Sequence, residues 1–340
     1  MMINRDFIAL IIISAALLVV GCGRVGPSTG EAGDLALRVS VDIPETKASA
    51  QEGEQFTNLL VVTKDYEGVI QHKYVELSAS SDFTNVVFEG LATGMCTVYA
   101  FANIEHTAWL ADGSDISNIK EGGAVDEDML MAVLSGADVP GAVPEGGVML
   151  LTGKQEIEVF PSESNIGEVK LYRPVARLNV SLRNHTKTPV TLTDLSFSQF
   201  NADRTYLLPH RATSGEPGIP AGTTYRSLPS LSGAGIEVGA GASEQVYSTL
   251  LYENKAPEYR MMANVTLGGT SLSLGGGGGA LLRFIDSETS QVTPVSYIRR
   301  NQDLTVVLNI YHGVISVAFD VQVYSDTWSG NGEESEHTFE

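Results

Sequence analysis

The residues of this 340-residue chain that could carry out chemistry include six histidines and several glycine-rich runs. The histidines are His72, His106, His185, His210, His312 and His337. No two of them stand two or four residues apart, the spacings at which a strand or a helix turns two imidazoles toward one zinc ion. The chain has no Gly-x-Ser-x-Gly elbow, and the glycine run 275–279 lacks the lysine and hydroxyl of a phosphate-binding loop. We therefore expect no metal, no cofactor and no catalytic residue.

The acidic run 126–128 is a further candidate for chemistry. It lacks the alternating oxygen ligands and the glycine of a calcium loop. Its place before an apolar stretch predicts instead the solvated first turn of a short helix over residues 125–134. A carboxylate pair for glycoside hydrolysis is set by the fold and not by spacing, so a hydrolase stays as a third hypothesis. Only two tryptophans, Trp109 and Trp328, could stack on a sugar, which disfavours it.

Cys22 ends an apolar segment near the start of the chain. Residues 7–21 form a run of about 15 residues, shorter than the ~20 of a membrane-spanning helix. The residues Val19-Val20-Gly21-Cys22 resemble the lipobox of bacterial lipoproteins, which implies acylation of the Cys22 thiol and cleavage just before it. We therefore expect residues 1–21 to be a signal peptide. Residues 22–34 are expected to form a flexible tether to the membrane, held by several acyl chains such as palmitate.

Cys96, the second cysteine, lies within the apolar segment GMCTVYAF. A free cysteine in such a segment behaves as a small buried hydrophobic residue. No disulfide framework is visible. The sequence therefore assigns thiol chemistry to Cys22 and a packing role to Cys96.

The charge of the chain excludes one class of partner. It has 41 acidic and 21 basic residues, with a formal net charge of −20. A surface this acidic repels the phosphate backbone of nucleic acids. Nucleic acid is therefore not expected as a partner.

Apolar and polar residues alternate along many short segments. In residues 35–43, the apolar residues Leu35, Leu37, Val39, Val41 and Ile43 occupy every second position, the period of a strand with one buried face. The segment VARLNVSLRN repeats the pattern in the second half of the chain. Turns between such segments are supplied by many of the 35 glycines and 13 prolines. This composition predicts an all-β fold of two tandem antiparallel β-sandwich domains.

The predicted domains have defined bounds. We expect an N-terminal sandwich over residues 35–162 and a C-terminal sandwich over residues 166–340, the latter ending in an acidic tail. The segment PSESNIGE, residues 161–168, is predicted to be a linker because of its turn-forming residues. Residues 207–241 are predicted to be mostly loop.

Several segments, taken in order, resemble the fimbrillin family of Bacteroidia, the lipoprotein-derived subunits of type V pili. They extend from the lipobox to the region of Trp328 and cover most of the chain. Two positions depart from the family pattern: Cys96 replaces its usual tyrosine, and the residues 150–153 read Leu-Leu-Thr-Gly where Pro-Met-Thr-Gly is usual. The matching segments after the lipobox are ETKAS, NLLVVTKDYEGVI, LATGMCTVYAFAN, VMLLTG, LYRPVARLNVSL, LLYEN and YIRRNQDLTVVLNI.

This resemblance implies two transthyretin-like β-sandwiches and export to the outer membrane and cell surface as a lipoprotein. It also implies cleavage after the first strand by a trypsin-like protease specific for Arg or Lys, for which Lys47 is the candidate site. Loss of that strand opens a hydrophobic groove, and a strand of a neighbouring subunit fills it. The implied function is that of a structural, non-enzymatic subunit of a fimbrium. Its partners are other fimbrial subunits, the outer membrane through the lipid at Cys22, and a host or bacterial surface ligand in cell adhesion.

By the same resemblance, the donor strand comes from the C-terminal region. Residues 315–323 have the required alternation, with Ile315, Val317, Phe319, Val321 and Val323 on one side. The acidic tail after Trp328 belongs either to the donor or to a separate end.

Two alternatives to a polymerising subunit remain open. One is a monomeric, surface-anchored lipoprotein that binds a glycan or a host ligand, with Trp109 and the loop 207–241 as first candidates. The other is a pilus anchor or tip that does not polymerise, in which Lys47 is an uncut, solvated loop charge.

Overall fold

The alternating segments of the sequence form strands that bury every second side chain. In the computed structural model, β1 (Ala32–Val41) alternates along its whole length between buried positions and positions that are exposed or half-buried. The strand β9 (Val175–Asn184), in the second half of the chain, alternates between buried and half-buried positions from Ala176 onward. The structure describes residues 32–41, 55–104, 116–128, 130–133, 150–161, 164–210, 216–274, 278–285, 292–312 and 317–327.

The first sandwich consists of two sheets that enclose one apolar core. One sheet has the strand order β4-β1-β8 and the other the order β3-β2-β5-β7. A short helix, α1 (Ile116–Lys120), and a short strand, β6 (Met131–Val133), lie between β5 and β7. Besides β1, the sandwich strands are β2 (Phe56–Lys64), β3 (Ile70–Ser81), β4 (Phe83–Ala92), β5 (Gly94–Ala102), β7 (Leu151–Val159) and β8 (Ser164–Leu171).

The second sandwich is larger and begins with β9. Its remaining strands are β10 (Val190–Phe197), β11 (Gln199–Ala202), β12 (Arg204–Tyr206), β13 (Tyr225–Ser227), β14 (Leu231–Val238), β15 (Ser243–Tyr252), β16 (Arg260–Leu267), β17 (Thr270–Leu274), β18 (Ala280–Leu281), β19 (Arg283–Ile285), β20 (Val292–Pro294), β21 (Gln302–His312) and β22 (Val317–Thr327). One sheet has the order β14-β10-β16-β17, with β18 paired to β16, and the other the order β15-β9-β21-β22-β19-β20.

The predicted all-β sandwich fold is confirmed, but its sheets are not wholly antiparallel. In each sandwich the first strand lies parallel to a late one: β1 pairs with β8, and β9 pairs with β21. Two parallel neighbouring strands must be joined by a long connection. Here that connection contains most of the other strands of the same sandwich. The alternation along a strand shows which face is buried and does not show the direction of its neighbour. This is why the sequence alone predicted antiparallel sheets throughout.

The predicted boundaries around the first sandwich need correction. Its first strand begins at Ala32 and not at Leu35, so the predicted tether 22–34 overlaps β1 by its last residues. The predicted linker 161–168 is wrong, because most of it belongs to β8, which pairs with β1. The boundary between the sandwiches therefore lies between Leu171 and Val175. A buried asparagine and a glycine on the inner side of β8 hide its strand pattern.

The predicted helix also differs from the structure. The acidic run predicted to start a helix over residues 125–134 is followed by β6, and the helix lies earlier, at α1. The strand β6 forms because it pairs with β12 of the second half, a partner that local sequence does not reveal. The described part of residues 207–241 is mostly loop, as predicted, and it also contains β13 and β14, which pair with β11 and β10.

A third apolar cluster joins the two sandwiches. It contains Leu60 and Phe101 from the first sandwich and Leu207 and Tyr252 from the second, all fully buried. Together with the β6–β12 pairing, it couples the two halves through packed side chains and backbone hydrogen bonds.

Candidate functional site

The strand β1 occupies the middle of its three-stranded sheet. It is antiparallel to β4 from Ala32, opposite Ala92, to Ser40, opposite Phe83. It is parallel to β8 from Asp34 to Val41. Adjacent strands lie about 4.7–4.9 Å apart, so removing β1 would leave a gap of about 10 Å between two unpaired strand edges. We call the space that β1 fills between β4 and β8 the β1 slot.

The inner side of the β1 slot is apolar. Leu35, Leu37, Val39 and Val41 of β1 are 0%, 1%, 0% and 5% exposed. They pack in one core cluster with side chains of the facing sheet, among them Phe56, Leu59, Val61 and Val98. Without β1, the same surface would be a hydrophobic groove one strand wide.

Gly167 of β8 makes room for the second of these leucines. A Cβ atom built on Gly167 would lie 2.4 Å from Cδ1 of Ile157 and 3.1 Å from Cδ2 of Leu37. Because the glycine has no side chain, both aliphatic groups can approach its backbone. The glycine that weakened the strand pattern of β8 is therefore part of the wall of the β1 slot.

The end of the β1 slot near Gly33 is closed by backbone and one amide side chain. A Cβ atom at Gly33 would lie 2.3 Å from the carbonyl oxygen of Phe160, a distance that no real Cβ contact shows. The Asn165 Nδ2 donates to the carbonyl of Asp34 at 3.0 Å and to that of Phe160 at 3.1 Å. The Asn165 Oδ1 accepts from the backbone N–H of Phe160 at 3.0 Å. Asn165 is 8% exposed, so its burial is compensated by these bonds.

The outer side of β1 makes weaker contacts. The guanidinium of Arg38 lies 4.5 Å from the centroid of the Phe83 ring. Ser40 Oγ donates to Glu168 Oε1 at 3.2 Å in an exposed position. Exposed polar and cation–π contacts contribute about 1 kcal/mol or less each. The buried inner side chains therefore contribute most of the free energy that keeps β1 in its sheet.

Cys96 lies in β5, beneath the β1 slot, and is fully buried. Burial raises the pKa of its thiol to about 11, and the nearby charge of Asp65 acts in the same direction. A thiol with this pKa stays protonated and unreactive at neutral pH. The prediction that Cys96 is a small buried residue is confirmed.

The candidate donor residues fall mainly in β22. That strand pairs antiparallel with β21 from Val317, opposite His312, to Thr327, opposite Gln302. On its other edge, among the described residues, it runs parallel to β19 with Val323 opposite Phe284. In this monomer β22 therefore lies inside the sheet of its own domain, between β21 and β19, and its role as a donor stays a prediction.

Several predicted sites lie outside the described residues. They are Cys22, Ile43, Lys47, Trp109, Ile315 and Trp328. Lipid attachment and cleavage therefore stay predictions. Over the described ranges, no group of three or more His, Cys, Asp or Glu side chains could hold a metal ion. In the same part of the chain, no helix has the length and apolar character to cross a membrane.

A buried ion pair of the second half of the chain, next to a residue of the first sandwich, was not anticipated from the sequence. Arg300 Nη2 lies 2.7 Å from Glu253 Oε2, and the two side chains are 1% and 2% exposed. Arg300 Nη1 also donates to the carbonyl of Leu207 at 2.6 Å, and Nη2 donates to that of Tyr206 at 2.8 Å. Thr152 Oγ1, from β7 of the first sandwich, donates to the same Leu207 carbonyl at 2.5 Å. One carbonyl group thus receives hydrogen bonds from both halves of the molecule.

Two sequence segments that supply residues to this network were noted above, but no function was predicted for those residues. VMLLTG contains Thr152, and YIRRNQDLTVVLNI contains Arg300. Both belong to the pattern that resembles fimbrillins. Arg300 has the polar sequence neighbours Arg299 and Asn301, so no local pattern marks it as buried or suggests its partner.

A second polar cluster lies near α1. Glu127 Oε1 accepts from Lys154 Nζ at 2.8 Å and from Tyr99 Oη at 2.9 Å. Burial raises the pKa of the Glu127 carboxyl, but the hydrogen bonds from Lys154 and Tyr99 lower it by more, so its pKa lies below 4.5. Glu127, in the acidic run that was a candidate for metal binding, thus forms an ion pair with Lys154 of β7.

Comparison with known proteins identifies the fold. No protein-family model matches the sequence, and no curated protein matches it at a significant level. A proposed cell adhesion protein of Parabacteroides distasonis ATCC 8503 aligns over 87% of this chain and 97% of its own, with 16% identity and a TM-score of 0.54. A proposed cell adhesion protein of Bacteroides eggerthii DSM 20697 aligns over 89% and 98%, with 14% identity and a TM-score of 0.50.

Fimbrial proteins are also among the structures that match. A fimbrilin of Porphyromonas gingivalis W83 aligns over 88% of this chain and 98% of its own, with 12% identity and a TM-score of 0.47. The likeness of fold rests on the first two structures. At identities this low it concerns the fold alone. The chain therefore has the two-sandwich fold of those two proteins along nearly their whole length.

Proposed function

We propose that the chain is a structural subunit of a cell-surface fimbrium, assembled by strand exchange at the β1 slot after β1 has been removed. The observation that carries the proposal is the position of β1, which is paired on both edges and buries its inner side chains fully. No described strand precedes β1, so a single cut between β1 and β2 separates it from the rest of the fold. Lys47 lies in that interval.

The physical basis is the surface that β1 covers. Burying an aliphatic side chain contributes about 1.5–3 kcal/mol, so the four inner residues of β1 together contribute on the order of 6–12 kcal/mol. The edges of β4 and β8 add unpaired N–H and C=O groups once β1 has left. A strand from a neighbouring subunit would cover the apolar side of the slot and pair with the backbone of both β4 and β8. This makes the open slot a strong acceptor for a strand of the right pattern.

The order of sites along the chain links assembly to release from the membrane. Cys22 and β1 both precede Lys47, so a cut after Lys47 leaves the lipid and β1 on one fragment. The folded body is then free of its anchor at the moment when its slot can open. We propose that the intact chain is an outer-membrane lipoprotein and that the cut form belongs to the fimbrium.

The proposal is tested by treating the purified intact protein with a protease specific for Lys and Arg. We expect ladders of oligomers that resist mild heating in detergent, and a mature chain that mass spectrometry shows to begin at Ala48. The variant Lys47→Gln should stay uncut and monomeric. The matched variant Lys64→Gln, which changes an exposed lysine at the end of β2, should form ladders like the parent protein.

Two outcomes would refute the proposal. A chain that is cut after Lys47 and stays monomeric would exclude a polymerising subunit. A protein that stays monomeric after the cut and binds specifically to a glycan array would favour the alternative of a monomeric, surface-anchored lipoprotein that binds a glycan or a host ligand.

A further inference from the structure

We infer that the β1 slot selects its occupant by a glycine, and that a second copy of this chain enters it with Gly313 at the place of Gly33. The inserted strand then runs in the same direction as β1. This inference rests on the proposed function and specifies the partner and its register.

The first step is the steric limit at Gly33. The carbonyl oxygen of Phe160 occupies the space of a Cβ atom, at 2.3 Å. Gly33 does not have a left-handed backbone, so close approach and not φ is the reason for glycine. The obstructing carbonyl is held in place, because Asn165 bonds to both the N–H and the C=O of Phe160. An occupant with any side chain at this position would have to displace fixed backbone.

The second step concerns what Asn165 recognises. Its amide donates to the carbonyl of Asp34, the residue after the glycine. Every strand offers a carbonyl there, so this bond accepts any sequence. The glycine is therefore the specific element, and the first buried side chain follows two residues later, at Leu35.

The third step is a search of the chain for this pattern. The pattern is a glycine followed by Val, Ile, Leu, Met or Phe at the second, fourth, sixth, eighth and tenth positions. Of the 35 glycines, only Gly33 and Gly313 satisfy it. A single shift places the two segments in register, with the inner residues Leu35, Leu37, Val39, Val41 and Ile43 corresponding to Ile315, Val317, Phe319, Val321 and Val323.

The fourth step fixes the direction of the donor. Because a strand alternates with period two, the same five apolar residues could also face inward with the strand reversed. The reversed strand would place Ser325 at the position of Gly33. Its Cβ atom would then meet the Phe160 carbonyl. Only the forward strand, antiparallel to β4 and parallel to β8, brings a glycine to this point.

The donor strand has partners in its own domain before exchange. Among the described residues, β22 lies between β21, with which it pairs from Val317 to Thr327, and β19, which it meets at Val323. In the β1 slot, an occupant is paired along both edges. The donor must therefore leave β21 before it can enter the slot.

Disulfide trapping tests register and direction. Arg38 lies opposite Asn85 of β4. The forward strand places Ala318 at that position, and the reversed strand places Asp320 there. Cut Asn85→Cys protein is mixed under mild oxidation with cut Ala318→Cys protein or, in parallel, with cut Asp320→Cys protein. Directly opposed residues lie within disulfide reach, whereas diagonal neighbours lie at about 7–8 Å, beyond it.

We expect the Ala318→Cys mixture to cross-link and the Asp320→Cys mixture not to. The parent protein is the control, since the cut removes Cys22 and leaves only the buried Cys96. Cross-linking by Asp320→Cys in place of Ala318→Cys would overturn the inference.

A second test addresses the glycine itself. We expect Gly313→Ala to slow ladder formation about tenfold or more, because overpacking against fixed backbone is strongly unfavourable. Gly330→Ala, which changes a glycine outside the pattern, should behave like the parent. Since Gly313→Ala could alter the monomer, synthetic peptides of residues 311–327 with and without that change are also added to cut protein. The unchanged peptide should block ladders and the changed peptide should not.

The outcomes separate this inference from the proposed function. Ladders formed equally by Gly313→Ala and the parent, with equal blocking by both peptides, would overturn the glycine register and leave strand exchange intact. Absence of ladders from the parent protein after the cut would overturn both.

Discussion

The variant Leu37→Ala tests how strongly β1 holds the intact subunit closed. Leu37 is 1% exposed, and its neighbour across the sheet is Gly167, which has no side chain to fill the space left by the leucine. Replacing a buried leucine by alanine costs about 2–5 kcal/mol, and a site that cannot collapse lies in the upper part of that range. We therefore expect a loss of about 3–5 kcal/mol in the free energy of unfolding of the first sandwich. Urea denaturation followed by far-ultraviolet circular dichroism measures it.

The same variant distinguishes the intact subunit from the polymer. After the cut, β1 must leave before a donor can enter, and a loss of about 3 kcal/mol corresponds to a release roughly 150-fold faster. The finished polymer no longer contains Leu37, so its resistance to heat should equal that of the parent.

Ile166→Ala is the matched control, because Ile166 lies on the adjacent strand β8 and is 84% exposed. It should change neither the stability of the monomer nor the rate of assembly. A Leu37→Ala protein with parental stability, or a polymer of this variant that melts earlier than the parental polymer, would refute the reasoning.

Three further predictions concern the core and its charged groups. Glu253→Gln should destabilise the protein by about 3–5 kcal/mol in denaturant titrations, because it leaves the buried Arg300 without its charge partner. Glu258→Gln, which breaks an exposed ion pair, should leave the stability close to that of the parent. Cys96 should resist alkylation in the folded protein at pH 8 and react on unfolding, because burial raises its pKa to about 11; rapid labelling of native protein would contradict this. The lowered pKa of Glu127 gives stability that is present above pH 4.5 and is lost as the pH falls through the folded-state pKa, so Glu127→Gln should flatten the acid limb of stability measured by thermal unfolding.

The strands that form the β1 slot differ in how well the sequence revealed them. The alternation in β1 is local and unbroken, so its buried face was predicted residue by residue and its inner side chains are buried as expected. The strand β8 was missed because Asn165 and Gly167 stand on its inner side, where apolar residues were expected. Each has a tertiary reason: one bonds to the backbone at the end of the slot, and the other makes room for Leu37.

The sequence by itself determined the all-β class, the face that each regular strand buries and the pattern that Gly33 shares with Gly313, because these depend on residues close together in the chain. Only the tertiary structure decided that β1 lies between β4 and β8, that its neighbour β8 runs parallel, and that Arg300 and Thr152 meet at one carbonyl. Such contacts join residues far apart in sequence, and no local pattern specifies their partner. The sequence shows a glycine at position 33 but not why it is needed. The reason is the close approach of the Phe160 carbonyl, which is a property of the folded chain.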